Sequence, residues 1–394
     1  MNSEAGLNRR EALQQSALWG AGWLTWPTWP AAWGTLADDE TLVPFLDMPR
    51  ARPGILDWET LDSWLTPQDQ VFEVSHYGVP RLDPTAYRLE ITGLVRTERH
   101  LTLEELQSLP VDEQWMTLEC SGNGASKGFL GAVYNSRWKG TRLVPLLKQC
   151  GWLPQATEVV FIGYDEQQET LRKGTPREIT FPVPFGRSMS LQDVLKHDPL
   201  LAYERNGQPL TPGNGAPLRL IVPGWYGIAN VKWLRRIELR DRRYMGRFMA
   251  RDYVTVRGER RGDEVVYVET SITRMNLKSI IARVTRRPAR EDKIPCTVYG
   301  AAWSDGTPIR TVEIQVDDGP WRPAVLQPEP QAPYCWTFFS LDVGPLTPGK
   351  HRLISRAVDI NGKIQPTADD DEIALKKTYW EAYAQWPRDI ELML

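Results

Sequence analysis

Cysteine is scarce. Four residues in 394, none spaced as CxxC or CxxCH, exclude a disulfide scaffold, a zinc ribbon, a thioredoxin-like dithiol and covalently attached c-type haem. Charge of one sign is missing too. Lys plus Arg is 47 against 50 for Asp plus Glu, and a net charge of −3 leaves no electrostatic footprint for nucleic acid. No run of apolar residues reaches the roughly 18 that cross a bilayer as a helix. There is no internal repeat and no low-complexity tract, and the glycine-rich loops between Asn206 and Trp233 are spaced neither as GxGxxG nor as GxxxxGK, so a Rossmann site and a P-loop find no support there. What is abundant is Trp (17), Pro (31) and Gly (30), which favours short strands and many turns over helix bundles. The length exceeds one ordinary core, so two domains and a targeting segment are expected.

Residues 1–37 read as the targeting segment. Asn8-Arg9-Arg10-Glu11-Ala12-Leu13 is followed by Ala17 to Gly34, which carries no charge, and then by small residues before Asp38. The pattern resembles a twin-arginine export signal, the route of proteins that fold around a cofactor before crossing the membrane, and implies a periplasmic or other extracytoplasmic location.

Two further segments follow, 38–264 and 265–394. In the first, residues 40–70 form an extended lead-in, and Tyr87–Thr92 alternates in period two up to Gly93. Thr102 caps a short helix, and Leu143–Cys150 is a helix stopped by Gly151. Trp115–Glu119, Glu158–Gly163, Leu218–Val222 and Val231–Leu239 complete the strands. The mixture has no regular βαβ order, so the class expected is α+β. In the second segment Cys296–Gly300, Arg310–Val316, Trp336–Phe339 and His351–Val358 alternate between turns such as Asp317-Asp318-Gly319 and Asn361-Gly362. That spacing indicates an immunoglobulin-like β-sandwich. The basic stretch Arg283–Arg290 is expected to be a solvated linker.

Two features could carry chemistry. Cys120 opens the loop Cys120-Ser121-Gly122-Asn123-Gly124, whose glycines are expected to leave backbone amides bare for a ligand. Alternatively, Cys120 is a buried small hydrophobe, as Cys150, Cys296 and Cys335 are expected to be, or a nucleophile with a histidine close in space. The second feature is a group of glycine turns ending in single cations, Asn214-Gly215-Ala216-Pro217-Leu218-Arg219 and Asn230-Val231-Lys232-Trp233, which suit a bound phosphate.

These segments carry a resemblance. Cys120–Gly124, Gly131-Ala132 leading to Trp138-Lys139-Gly140, Leu201–Leu210, Val231–Leu234, and Thr66-Pro67 through His76 to Pro80 look like the sulfite oxidase family of molybdenum enzymes. Trp303-Ser304, Val312–Val316, Ala357-Val358-Asp359 and Gln365-Pro366 resemble its C-terminal dimerisation domain. The resemblance implies a molybdenum–molybdopterin cofactor. Cys120 is then the thiolate ligand of the metal. Phe72, Glu73, Val74, Ser75 and His76, with Asp165, Asn214, Arg219, Asn230, Val231 and Lys232, then hold the pterin and its phosphate. It further implies oxygen-atom transfer on a small sulfur oxyanion or related compound, electrons leaving to a separate acceptor such as a cytochrome c, and a homodimer through the C-terminal domain.

The resemblance also marks departures at the substrate. Val74 stands where sulfite-oxidising members have an arginine, Phe185 where they have a tyrosine, Gly124 and Ala125 where an arginine is common, and Asn214 and Asn230 at histidine positions. Losing an oxyanion-binding arginine costs about 2–4 kcal/mol of transition-state binding unless replaced, and Lys127 or Arg187 are the candidates to replace it. A reductase of S- or N-oxides on the same scaffold is therefore an alternative. A cofactor-free periplasmic binding protein is another.

Overall fold

The computed structural model describes residues 36–47, 54–327 and 332–394, so the twin-arginine motif lies outside the described residues. The fold is mostly β, and the described helices are short. The helix content expected of an α+β chain shrinks to pieces such as Leu103–Gln107, Leu143–Cys150 and Leu191–His197. Their ends follow local chemistry. Thr102 and Glu105 form a reciprocal capping box, and Gly151 closes Leu143–Cys150 at φ +67°.

Two sheets build the N-terminal part. The first runs in the order Arg219–Ile221, Leu200–Arg205, Val133–Arg142, Val111–Glu119, antiparallel throughout. The second has the order Arg99–Thr102, Arg88–Gly93, Leu234–Arg240, Glu158–Leu171, Ile179–Ser190, with one parallel pair between Leu234–Arg240 and Arg88–Gly93. Two strands differ from expectation. Glu158–Leu171 runs past Gly163 because its polar half pairs with Ile179–Pro184 as a hairpin, and the register shifts between Ile162 and Glu166. The last strand begins at Leu234 rather than Val231, since Trp233 sits at φ +49° and turns the chain.

The C-terminal part is two facing sheets. One contains Thr41–Val43, Lys278–Arg286, Ile294–Trp303, Thr337–Leu346 and Val325–Leu326; the other contains Arg322–Pro323, Ile309–Val316, Gly349–Asp359 and Arg388–Leu392. Ile281, Val284, Val298, Ile314, Phe339 and Leu353 fill the space between them. The lead-in therefore contributes a strand to the C-terminal sheet. The basic stretch is solvated only in its second half: Arg287–Arg290 are exposed beyond the strand, but Arg283, Val284 and Thr285 are buried within Lys278–Arg286, and Arg283 lies over the Tyr299 ring. Its charge is tolerated because alternation puts apolar neighbours on the opposite face. The expected boundary at 264/265 falls inside the hairpin Val254–Arg261/Glu264–Ser271.

The two parts share one core. Trp58 stacks on Trp303 at 6.0 Å and tilts against Trp336 at 6.2 Å, and its indole N–H donates to the Leu130 carbonyl. Trp64 and Trp336 exchange indole N–H bonds with each other's carbonyls. Replacing Trp58 by Ala should cost about 3–5 kcal/mol of stability. Urea unfolding measures it, and a loss of under about 1 kcal/mol would deny that the stack joins the two parts.

Candidate active site

Strand Val111–Glu119 delivers Cys120 into a turn closed on itself. The Cys120 N–H donates to the Ala132 carbonyl, the Asn123 N–H to the Cys120 carbonyl, and the Gly124 N–H to the Phe129 carbonyl. The Asn123 side chain completes the closure by accepting from the Ala132 N–H at 2.9 Å. The Gly124 amide is thus not bare, as its glycine suggested, whereas the Gly122 N–H makes no backbone hydrogen bond among the described residues. The Gly122 N–H is the one turned toward the sulfur. Gly124 is required at φ +91°, and a Cβ there would lie 3.3 Å from both Lys278 Nζ and the Ala382 carbonyl. Cys120 is half-buried, whereas Cys150, Cys296 and Cys335 are buried.

Cys120 lines a cleft with about 650 Å³ of empty space, part of it open to solvent. Eleven of the residues singled out in the sequence line it: Phe72, Val74, Ser75, His76, Cys120, Asp165, Phe185, Asn214, Arg219, Asn230 and Lys232. Two do not. Glu73 faces an adjoining groove and accepts from the Asn214 amide at 2.8 Å, and Val231 is fully buried in the core. Asp165 reaches the cleft because it sits in the register shift of Glu158–Leu171, where a strand re-aims a side chain.

One end of the cleft is cationic. Arg219 is buried, stacks over Trp138 at 4.8 Å, and donates to the carbonyls of Asn214 (2.9 Å) and Asn230 (3.2 Å). Lys232 lies over Trp233 at 4.2 Å and donates to the Gly213 carbonyl at 2.8 Å. Burial, then the Arg219 charge, pushes Lys232 down to about 8. The Asn230 amide is spent on the loop before it, accepting from the Val222 N–H and donating to the Tyr226 carbonyl. Three buried polar atoms on the cleft wall lack a protein partner: Ser121 Oγ, Asp165 Oδ1 and Arg219 Nε.

Another part of the wall is aromatic. Phe185 stacks on His76 at 5.4 Å and packs on Phe248. His76 Nε2 meets the Tyr253 hydroxyl at 2.6 Å. Phe185 lines the cleft as expected, and a tyrosine, Tyr253, lines it too. Sequence reasoning missed it because Arg251-Asp252-Tyr253 has no local motif and only the tertiary fold brings it to His76. Leu118 and Tyr134 were also missed. Leu118 was legible as the same-face neighbour of Cys120, and Tyr134 needed the register that sets it opposite Leu118. Val74, 39% exposed, brings no charge. Arg187 does not replace it: the guanidinium is buried against the carbonyls of Phe248 and Ile272 and pushed down to about 9 by burial. The Lys127 side chain lies outside the described residues.

Burial pushes the Cys120 thiol up to about 11, against the Gly122 N–H; Glu119 raises it further and Lys278 lowers it. Burial, then Lys232 and Arg247, pushes His76 down to about 4 from 6.5, while burial pushes Asp165 up to about 6 from 3.8. The two groups oppose each other in acid. The unfolded chain binds the histidine proton first, so the His76 contribution is full above 6.5 and lost as pH falls through about 4. The folded chain holds the Asp165 proton longer, so that contribution is full below 3.8 and lost as pH rises through about 6. Asp165→Asn should therefore make stability climb with pH across this window, and His76→Gln should make it fall. Urea unfolding of the ligand-free chain against pH checks both slopes, and equal slopes in the two variants would contradict the assignment.

Comparison with known proteins agrees with this geometry. Residues 76–248 match the family model of the oxidoreductase molybdopterin binding domain, and residues 269–380 match that of the Mo-co oxidoreductase dimerisation domain. Rat mitochondrial sulfite oxidase is 32% identical over 326 residues, covering 77% of this chain and 58% of the relative, so the chain spans little more than half of that protein. Chicken sulfite oxidase is 31% identical over 327 residues, covering 77% and 69%. The crystal structure of the sulfane dehydrogenase SoxCD from Paracoccus pantotrophus superposes with a TM-score of 0.72 at 26% identity, covering 90% of each chain. The donor set fits the group these proteins imply. A thiol suits a soft metal, two cations suit a phosphate, and the orphaned hydroxyl, carboxyl and guanidinium atoms suit the polar edge of a pterin. The chain belongs to the sulfite oxidase family of molybdopterin oxidoreductases.

Proposed function

We propose that the chain is a molybdenum–molybdopterin oxidoreductase that transfers an oxygen atom on a small sulfur compound and passes electrons to a separate haem protein such as a cytochrome c. The observation that carries this reading is one cleft holding the Cys120 thiol, the buried Arg219, the half-buried Lys232 and three unpartnered polar atoms. When bound, the cofactor supplies the two-electron oxygen-transfer chemistry. The protein supplies the rest. Cys120 would hold the metal as a thiolate, without the proton that burial otherwise retains on it. Arg219 and Lys232 neutralise the phosphate, which restores to Lys232 the full charge that burial weakens. Tyr253, fixed by His76, holds a proton at the substrate end, and Phe185, Phe248 and Ile228 exclude water there.

The substrate is a sulfur oxyanion or a related, less charged sulfur compound. Among the described residues lining the cleft the cations are Arg219 and Lys232, both at the phosphate end, and Val74 is neutral. That neutrality also favours a second reading, reduction of S- or N-oxides. The two C-terminal sheets serve in this proposal as an immunoglobulin-like module pairing two copies, and the twin-arginine segment exports the folded protein.

Metal analysis of protein made in a host that synthesises molybdopterin should find one molybdenum per chain in the wild type and none in Cys120→Ala. An empty wild type would end the proposal. Sulfite-dependent reduction of cytochrome c, set against sulfoxide reduction by a reduced dye, decides the direction. Val74→Arg should raise sulfite turnover at least about ten-fold if the pocket lacks only its anion clamp, and unchanged turnover would contradict that.

A further inference from the structure

Directly behind Cys120 lies an ion pair between the two parts of the chain. Glu119, the last residue of its strand, is 1% exposed, and Lys278, on strand Lys278–Arg286, has a side chain 3% exposed. Glu119 Oε1 accepts from Lys278 Nζ at 2.8 Å and from the Asn123 amide at 2.9 Å. Glu119 Oε2 accepts from the Trp303 indole N–H at 2.9 Å. Lys278 Nζ also donates to the Asn123 carbonyl at 3.1 Å. Lys278 and Trp303 are opposite each other in the C-terminal sheet, so one rung of that sheet grips the cysteine loop. The backbone makes a second grip, the Glu381 N–H donating to the Ser121 carbonyl at 2.7 Å.

Stability alone is a poor reason for such a pair. Taking both charges out of water costs about as much as their attraction returns, and apolar replacements of similar volume are often neutral or better. What the pair does provide is a unique position for the loop. Each oxygen of Glu119 is engaged, and two of its three donors are also bound to, or part of, the turn that carries the sulfur.

We propose that Glu119 and Lys278, with Trp303, are positioning residues for the metal-binding thiolate: the C-terminal part of the chain sets where Cys120 Sγ stands and balances the carboxylate charge beside it. The inference rests on Cys120 being the metal ligand. It makes the C-terminal part a component of the site as well as a candidate dimer surface.

The test uses the holoprotein and three variants, Glu119→Gln, Lys278→Met and the double Glu119→Gln/Lys278→Met. Molybdenum per chain, the Mo(V) electron paramagnetic resonance spectrum and the unfolding midpoint are read for each. Lys278→Met, which leaves the carboxylate bare beside the sulfur, should hold molybdenum about ten-fold or more weakly. Glu119→Gln, nearly isosteric, should stay folded with a shifted Mo(V) spectrum. The double variant, with charge balance restored, should recover the unfolding midpoint but not the wild-type spectrum. Wild-type loading and spectra in Glu119→Gln and the double variant would make the pair merely structural and overturn the inference, as would a double variant that does not fold. A wild type without molybdenum would instead sink the cofactor reading and this inference with it; loaded, spectrally unchanged variants sink this inference alone.

Discussion

Two cations held inside the protein without an ion pair among the described residues are the constraint on which the rest depends. Arg219 and Lys232 are held by carbonyl oxygens and by the faces of Trp138 and Trp233, which orient them without cancelling their charge. Burial of this kind opposes folding unless something anionic arrives, and the depressed Lys232 records the opposition. The cleft is therefore built for a ligand with a phosphate at one end. The thiol of Cys120 on the same wall suits a ligand that carries a soft metal as well.

The fold meets that demand by making the site from pieces that no single sheet holds. The Cys120 turn ends a strand of the first sheet, Asp165 comes from a register shift in the second, and Arg219 and Lys232 flank the crossing between them. The C-terminal part closes the arrangement from behind through Lys278, Trp303 and Glu381. A shared core of Trp58, Trp303 and Trp336 keeps those pieces in one register. Rigid support from both parts of the chain is what a metal ligand needs, since small displacements at a coordinating sulfur change the electronics of the metal.

Where local chemistry decides, the sequence was legible. The capping Thr102, the stop at Gly151 and the turn residues at Asn361-Gly362 all mark element ends in the structure. The cysteine loop and the Asn214–Arg219 and Asn230–Lys232 turns were visible because glycine and single cations are rare in combination, and the fold brings all three to one cleft. Long-range pairing was not legible. The polar half of Glu158–Leu171 gives no apolar alternation, Arg283 looks like a surface charge until Tyr299 covers it, and Glu73 reads like a neighbour of Val74 until the chain turns it toward Asn214. Tyr253 was invisible for the same reason, lying 177 residues from the histidine that holds it. The free amide expected of Gly124 was spent inside the turn, on the Phe129 carbonyl, which a dipeptide pattern cannot show.

The central claim is that a sulfur of this chain, Cys120 Sγ, is bonded to the metal. X-ray absorption at the molybdenum edge of the holoprotein, compared with Cys120→Ser, tests it most directly, because serine keeps a ligand of similar reach while replacing sulfur with oxygen. The account predicts one sulfur neighbour fewer and one oxygen neighbour more per molybdenum in the variant. An unchanged sulfur shell would contradict it.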